Sequence, residues 1–133
     1  VNTSVMNVAG TLTMSGVGTN TFAGNKGFTA ATLSLVTAAG TNVLTYGNTY
    51  TVTTLMQNLI GINATHNVLK SSSAGNKVVL TLNSGADCNN VYLTCTDIDA
   101  SAGRTITIDN GTVNTSTNVV SLHDWNGVSY PIN

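Results

Sequence analysis

Glutamate is absent from this chain, and charge of either sign is scarce: charged residues occupy 7% of its 133 positions, against about 25% in an ordinary soluble domain. With a formal net charge of -1, there is no long-range field to steer a phosphate backbone or an anionic lipid head group. Neither nucleic acid nor a membrane surface is therefore an expected partner. No run of about 18 apolar residues occurs, so no membrane-spanning helix is expected. The first residues do not show the basic and then apolar pattern of a secretory leader. A single proline and a single tryptophan are present.

Cysteine is also sparse. Cys88 and Cys95 flank the run Val91-Tyr92-Leu93-Thr94, which reads as a strand and would hold them roughly 20 Å apart if fully extended. A disulfide requires Cα atoms within about 7 Å, so a bridge would need a turn at Asn89-Asn90. Free thiols are the expectation, with Cys95 acting as a small buried hydrophobe. Two cysteines without clustered histidines do not compose a zinc site.

What the chain has in quantity is uncharged polarity: 23 Thr, 18 Asn and 11 Ser beside 41% hydrophobic residues. That hydrophobic content supports a core, and the length fits one domain. Threonine with valine and isoleucine, and few good helix formers, favours strand.

Strands are expected where apolar and hydroxyl residues alternate between turn residues: Thr11 to Ser15, Leu33 to Thr37, Val43 to Tyr46, Tyr50 to Val52, Val68 to Lys70, Val78 to Leu82, Val91 to Thr94, Thr105 to Ile108 and Val119 to Leu122. A tail strand near Val128 to Ile132 follows the Trp125-Asn126-Gly127 turn. Ala38 to Thr41 and Gly47-Asn48 read as hairpin turns, and Asp109-Asn110-Gly111 as another. One helix is predicted near 54–62, with Thr54 as N-cap, Gln57 closing a capping box, and Leu55, Leu59 and Ile62 as an apolar stripe. Gly61 and Asn63 would stop it. The expected fold is mainly β, of α+β type: an antiparallel sandwich or sheet with that short helix packed on it. Residues 1–30 are expected to form an extended arm with a short strand, and 31–133 a single β-rich domain.

No residue set has the spacing of a reaction centre. His66 and His123 are the only histidines. His123 and Asp124 beside Ser121 or Ser129 lack the Gly-x-Ser-x-Gly elbow of a nucleophile. Asp97 and Asp99 alternate onto one face of a strand end and, with Asp87 or Asp109, could collect a hard cation such as calcium, which takes six or more oxygens; the EF-hand spacing is absent, and the pair reads more simply as solvated turn residues. No enzyme activity, cofactor or metal is expected. The residues best suited to an interface are apolar or aromatic: Val5, Val8, Leu12, Met14 and Phe22 in the arm, and Trp125 and Tyr130 in the tail.

Thr54 to Asn63, the strand Gly75 to Leu82, and Gly85-Ala86-Asp87 with Asn89-Asn90 resemble a small βαβ-type module of bacteriophage virion proteins. The same kind of module occurs in insertions of bacterial surface proteins. The resemblance covers about residues 43–93, with Cys88 where the pattern favours glycine. It implies a non-enzymatic virion structural protein of a tailed phage, foremost a capsid decoration (cement) protein. A spike or fibre module, or a secreted filament or adhesin subunit binding a surface glycan through Trp125 and Tyr130, is the alternative. Expected partners are further copies of the chain, with a trimer favoured, and the major capsid protein or another virion protein. The expected location is the virion, assembled in the host cytoplasm, or else the cell surface.

Overall fold

Short runs of alternating Thr, Val, Leu and Asn, many of them closed by Gly, Asn, Asp or Ser, give the chain many brief strands and nothing long enough to nucleate a helix. A computed structural model describes residues 4–23, 26–36, 39–59 and 65–122, and among them there are thirteen strands and no helix. They fall into successive coils. The first holds β1 (Met6–Met14) and β2 (Thr19–Phe22), the second β3 (Gly27–Leu35) and β4 (Thr41–Leu44), and the third β5 (Thr49–Asn58) and β6 (Asn67–Ser71). The fourth holds β7 (Val78–Leu82), β8 (Asp87–Asn90) and β9 (Leu93–Thr96). The fifth holds β10 (Ile98–Asp99), β11 (Ile106–Ile108) and β12 (Thr112–Asn114), and β13 (Val119–Ser121) opens a further turn.

Every strand pairs in parallel with its counterpart one coil away. The order β1-β3-β5-β7-β10 makes one face and β2-β4-β6-β9-β12 another. β1, β3 and β5 each bend where the register shifts or the chain turns a corner, and their second halves begin a third stack. β8 joins this stack against Leu55–Asn58, and β11 follows it, with the Asp109 N–H donating to the Asn90 carbonyl at 2.8 Å. β13 then pairs with β11. The chain thus winds as a three-faced β-solenoid, in which each coil touches chiefly its neighbours.

Inward side chains stack into columns along the axis. One runs Met6, Phe28, Tyr50, Leu80, a second Val8, Ala30, Val52, Leu82, and a third Leu12, Leu33, Met56, Cys88. Phe28, Tyr50 and Leu80 are fully buried. Phe22, Phe28 and Tyr50 meet edge to face with centroids 4.9 to 5.7 Å apart, the arrangement aromatic quadrupoles prefer. The buried Tyr50 hydroxyl accepts the Thr45 N–H at 2.9 Å.

Asparagines occupy one corner of the interior and satisfy backbone groups that the turning chain leaves free. Asn67 Nδ2 donates to Asn58 Oδ1 at 2.6 Å, and Asn67 Oδ1 accepts the Gly40 N–H at 2.9 Å. Asn58 Nδ2 donates to the Val91 carbonyl at 2.6 Å, and Asn90, directly above Asn58 in register, donates to the Thr107 carbonyl at 3.2 Å.

The fold is mainly β, but the antiparallel sandwich with a helix is overturned. Thr54 to Asn58 belong to β5, where Met56 and Asn58 point inward and Leu59 beyond them is 54% exposed. The run Thr51 to Thr54, β-branched throughout, leads straight into this segment, and a nine-residue helix has little stability of its own. Of the expected helix, residues 60–62 lie outside the described residues. The hairpins are replaced as well: β3, β4 and β5 do not pair with their sequence neighbours across Ala38–Thr41 or Gly47–Asn48. Gly47, at φ 90°, turns the chain from one face to the next. Likewise Asn110, at φ 52°, carries it from β11 to β12 on a different face. The expected strand at Val78 to Leu82 is β7 with the same bounds, and the expected tail strand lies outside the described residues.

Candidate functional site

Val5, Val8, Leu12, Met14 and Phe22 are gathered by the winding onto the first coil, where the interior columns end. β1 pairs with β3 on one side, and β2 with β4. On the other side neither has a strand partner among the described residues. Met6, Val8, Leu12 and Phe22 are half-buried, Met14 is buried, and Val5 is 40% exposed. No charged residue occurs between Ser4 and Ala23. Trp125 and Tyr130, with His123 and Asp124, lie outside the described residues. Met6 completes the first-coil set and was not singled out by sequence, because its role follows only from its register on Phe28.

The side chains on the other side of the strands form ladders made mostly of hydroxyls and amides, interrupted by Val43, Val68 and Lys70. Thr19, Thr41, Val68, Thr94 and Thr112 align on one face, with Thr21, Val43, Lys70, Thr96 and Asn114 beside them. On another face Asn7, Thr29, Thr51 and Thr81 align. At the edge of the Thr94 ladder, His66 Nδ1 lies 3.2 Å from Thr94 Oγ1 and its ring centroid 6.0 Å from that of Tyr92. Partial burial holds the His66 imidazole below its ordinary pKa.

The aspartates serve the corners of the winding. Asp97, at φ 56°, separates β9 from β10. Its carboxylate accepts the Thr115 hydroxyl at 2.6 Å and the Gly75 N–H at 2.9 Å. Those two bonds, Thr115 first, hold it below the usual carboxylate range, with Lys70 and Lys77 adding a smaller pull. Asp99 accepts the Ser101 N–H at 2.9 Å and is lowered for the same kind of reason. Asp97 thus sits in a corner and Asp99 at the end of β10 beyond it, and no group of three or more metal-ligating side chains forms among the described residues.

Cys88 and Cys95 are free thiols, in β8 and β9. Cys95 is fully buried in the core, and burial, with the neighbouring Cys88 adding to it, pushes its pKa up to about 12. It packs as a small hydrophobe and not as a nucleophile. Cys88 Sγ and Asn90 Nδ2 both point at the Thr107 carbonyl.

Three groups of features therefore stand out: a first coil with no charge in its strands and no strand on its outer side among the described residues, hydroxyl-rich ladders along the sides, and carboxylates engaged in corner hydrogen bonds. Comparison of the chain with protein-family models, curated proteins and solved structures found no match.

Proposed function

We propose that this chain is a non-enzymatic structural protein, a β-solenoid module of a tailed-phage spike or fibre. The observation that carries this reading is the use to which polar side chains are put. The buried asparagines hold corners together, Asp97 ties Gly75 to Thr115, and Asp99 closes a turn at Ser101. Coil-on-coil stacking builds length along one axis from contacts between neighbours. That geometry suits an elongated appendage better than a cement protein spread over joints of a capsid shell. A nearly uncharged surface makes its contacts insensitive to salt.

Antibody labelling of intact virions and of producing cells tests the proposal. Gold confined to tail spikes or fibres is expected. Gold spread over the capsid shell would restore the decoration reading and overturn this one.

A secreted adhesin is the second reading. Its support is the His66 and Tyr92 ring pair beside the Thr94 ladder, an aromatic surface against which a sugar can stack next to hydroxyl partners. Labelling of the cell surface, with binding to an array of neutral glycans that Tyr92→Ala abolishes, would favour it.

A further inference from the structure

We infer that β1 is a self-complementary edge that joins two copies of the chain into a two-fold dimer, first coil against first coil. This goes beyond the appendage role and does not depend on it. An unpaired strand edge presents a row of N–H and C=O groups to any strand that can match it, and natural proteins usually guard such edges with Lys, Pro or an inward-pointing charge. β1 is nine residues long, and the segment from Ser4 to Ala23 contains no Lys, no Pro and no charge of any kind.

The sequence of this edge fits its own reverse. Reading outward in both directions from Gly10, the inward positions are Val8 and Leu12, then Met6 and Met14. In an antiparallel pairing about Gly10, Met6 faces the partner's Met14, Val8 faces the partner's Leu12, and Gly10 faces itself. All inward residues then meet inward residues, which a register slipped by one would destroy. Asn7 and Thr13, both exposed, oppose each other on the outer side.

The bend in β1 is compatible with this symmetry. The register shift between Val8 and Thr11 places the corner at Ala9–Gly10, so a two-fold axis through that corner lays each half of the bent strand on the other half of its copy. The same axis leaves through the opposite face, where β2 of each copy comes to lie against β2 of the other. Phe22, half-buried on Phe28 and Tyr50, is covered in the process. An isologous contact of this kind closes on itself and yields a dimer, the commonest symmetric assembly.

The test is the solution mass of the full chain and of two double variants, by light scattering and sedimentation equilibrium, with circular dichroism as a check on folding. The parent is expected at twice the 13.6 kDa of one chain. Asn7→Lys with Thr13→Lys places like charges opposite each other at two symmetric points, and should raise the dimer dissociation constant at least about tenfold. Asn7→Lys with Thr13→Glu places opposite charges at the same two points and should keep the dimer. As a direct probe of register, Gly10→Cys should form a covalent dimer on mild oxidation while the parent does not. A Cβ at position 10 meets nothing within 4 Å, so this variant should fold. A monomeric parent, a trimer, open rods, a double-lysine variant as dimeric as the parent, a Lys/Glu variant that dissociates, or a Gly10→Cys chain that stays monomeric would each overturn the inference.

Discussion

The first and third coils follow one pattern and reach different states. Met6-x-Val8 in the first corresponds to Tyr50-x-Val52 in the third, and Leu12 to Met56, each aimed inward on the same columns. Tyr50, Val52 and Met56 are completely buried, whereas Met6, Val8 and Leu12 remain half-buried. The difference lies in the neighbours: among the described residues the third coil has stacked strands on both sides, the first on one. In a solenoid, burial is therefore a property of adjacent coils and not of a coil's own residues. The coil that lacks a neighbour is also the one through which the molecule can be extended.

Paired substitutions in the two regions sharpen that contrast. Leu80→Ala, in the fully buried column above Tyr50, should cost about 2–5 kcal/mol through lost transfer energy and a cavity. Leu12→Ala, made in the Asn7→Lys, Thr13→Lys chain in which no second copy covers β1, should cost less than about 1.5 kcal/mol, because there its half-buried side chain meets solvent. Urea unfolding of the two variants decides it, and equal costs would remove the distinction between covered and uncovered coils.

A smaller effect is expected where backbones touch. Gly27 sits at φ 96°, and a Cβ there would collide with the Thr49 carbonyl oxygen of the next coil. Gly27→Ala should destabilise by about 1–3 kcal/mol, whereas Gly10→Ala, with open space around it, should stay within about 0.5 kcal/mol. Thermal melting of both variants measures the difference.

The asparagine corner extends the comparison to polar groups. Asn58→Ala leaves the Asn67 amide and the Val91 carbonyl without their buried partner, and should cost about 1–3 kcal/mol. Asn76→Ala removes an exposed bond to the Ser73 hydroxyl and should cost about 0.5 kcal/mol or less. Denaturant midpoints of the two chains give the ratio.

The weakest effect is on pH. Folding lowers the pKa values of Asp97 and Asp99, so the unfolded chain binds these protons first as pH falls. The stability they contribute is fully present above the ordinary carboxylate value of 3.8 and is lost as pH falls through the lowered folded values. Thr115→Val removes the largest cause acting on Asp97 and should flatten that acid-side loss in a pH series of melts.

Much of the local structure was legible in the sequence. Val78 to Leu82 alternates cleanly and forms β7 over those same residues. Cys88 and Cys95 are free as expected, but the strand expected over Val91 to Thr94 is broken by a corner at Tyr92, at φ 50°, so the thiols sit on different strands and are not held apart by one extended segment. The pairing partners were not legible. Gly47-Asn48 is as suitable for rounding a corner as for reversing the chain, so turn chemistry alone could not separate a hairpin from a coil. The signal that distinguishes them is internal repetition. Met6, Phe28 and Tyr50 recur at one spacing, but the step to Leu80 is stretched by the segments before and after β6 and hides the period. The helix at 54–62 was predicted from a capping box and a stripe, both local features. The column Leu33, Met56, Cys88, which needs three coils at once, decides that segment instead. Val5, Val8, Leu12, Met14 and Phe22 were recognisable as apolar residues in an uncharged arm, while their convergence on one end of the solenoid depends on the winding.

Residue-resolved amide hydrogen exchange of the Asn7→Lys, Thr13→Lys chain, in which no second copy covers β1, tests the central claim that neighbouring coils set stability. Protection is predicted to be highest in β3 and β5 and to fall in β1 and β2, with β1 opening at a lower free energy than the whole molecule. Protection in β1 equal to that in β5 would contradict it.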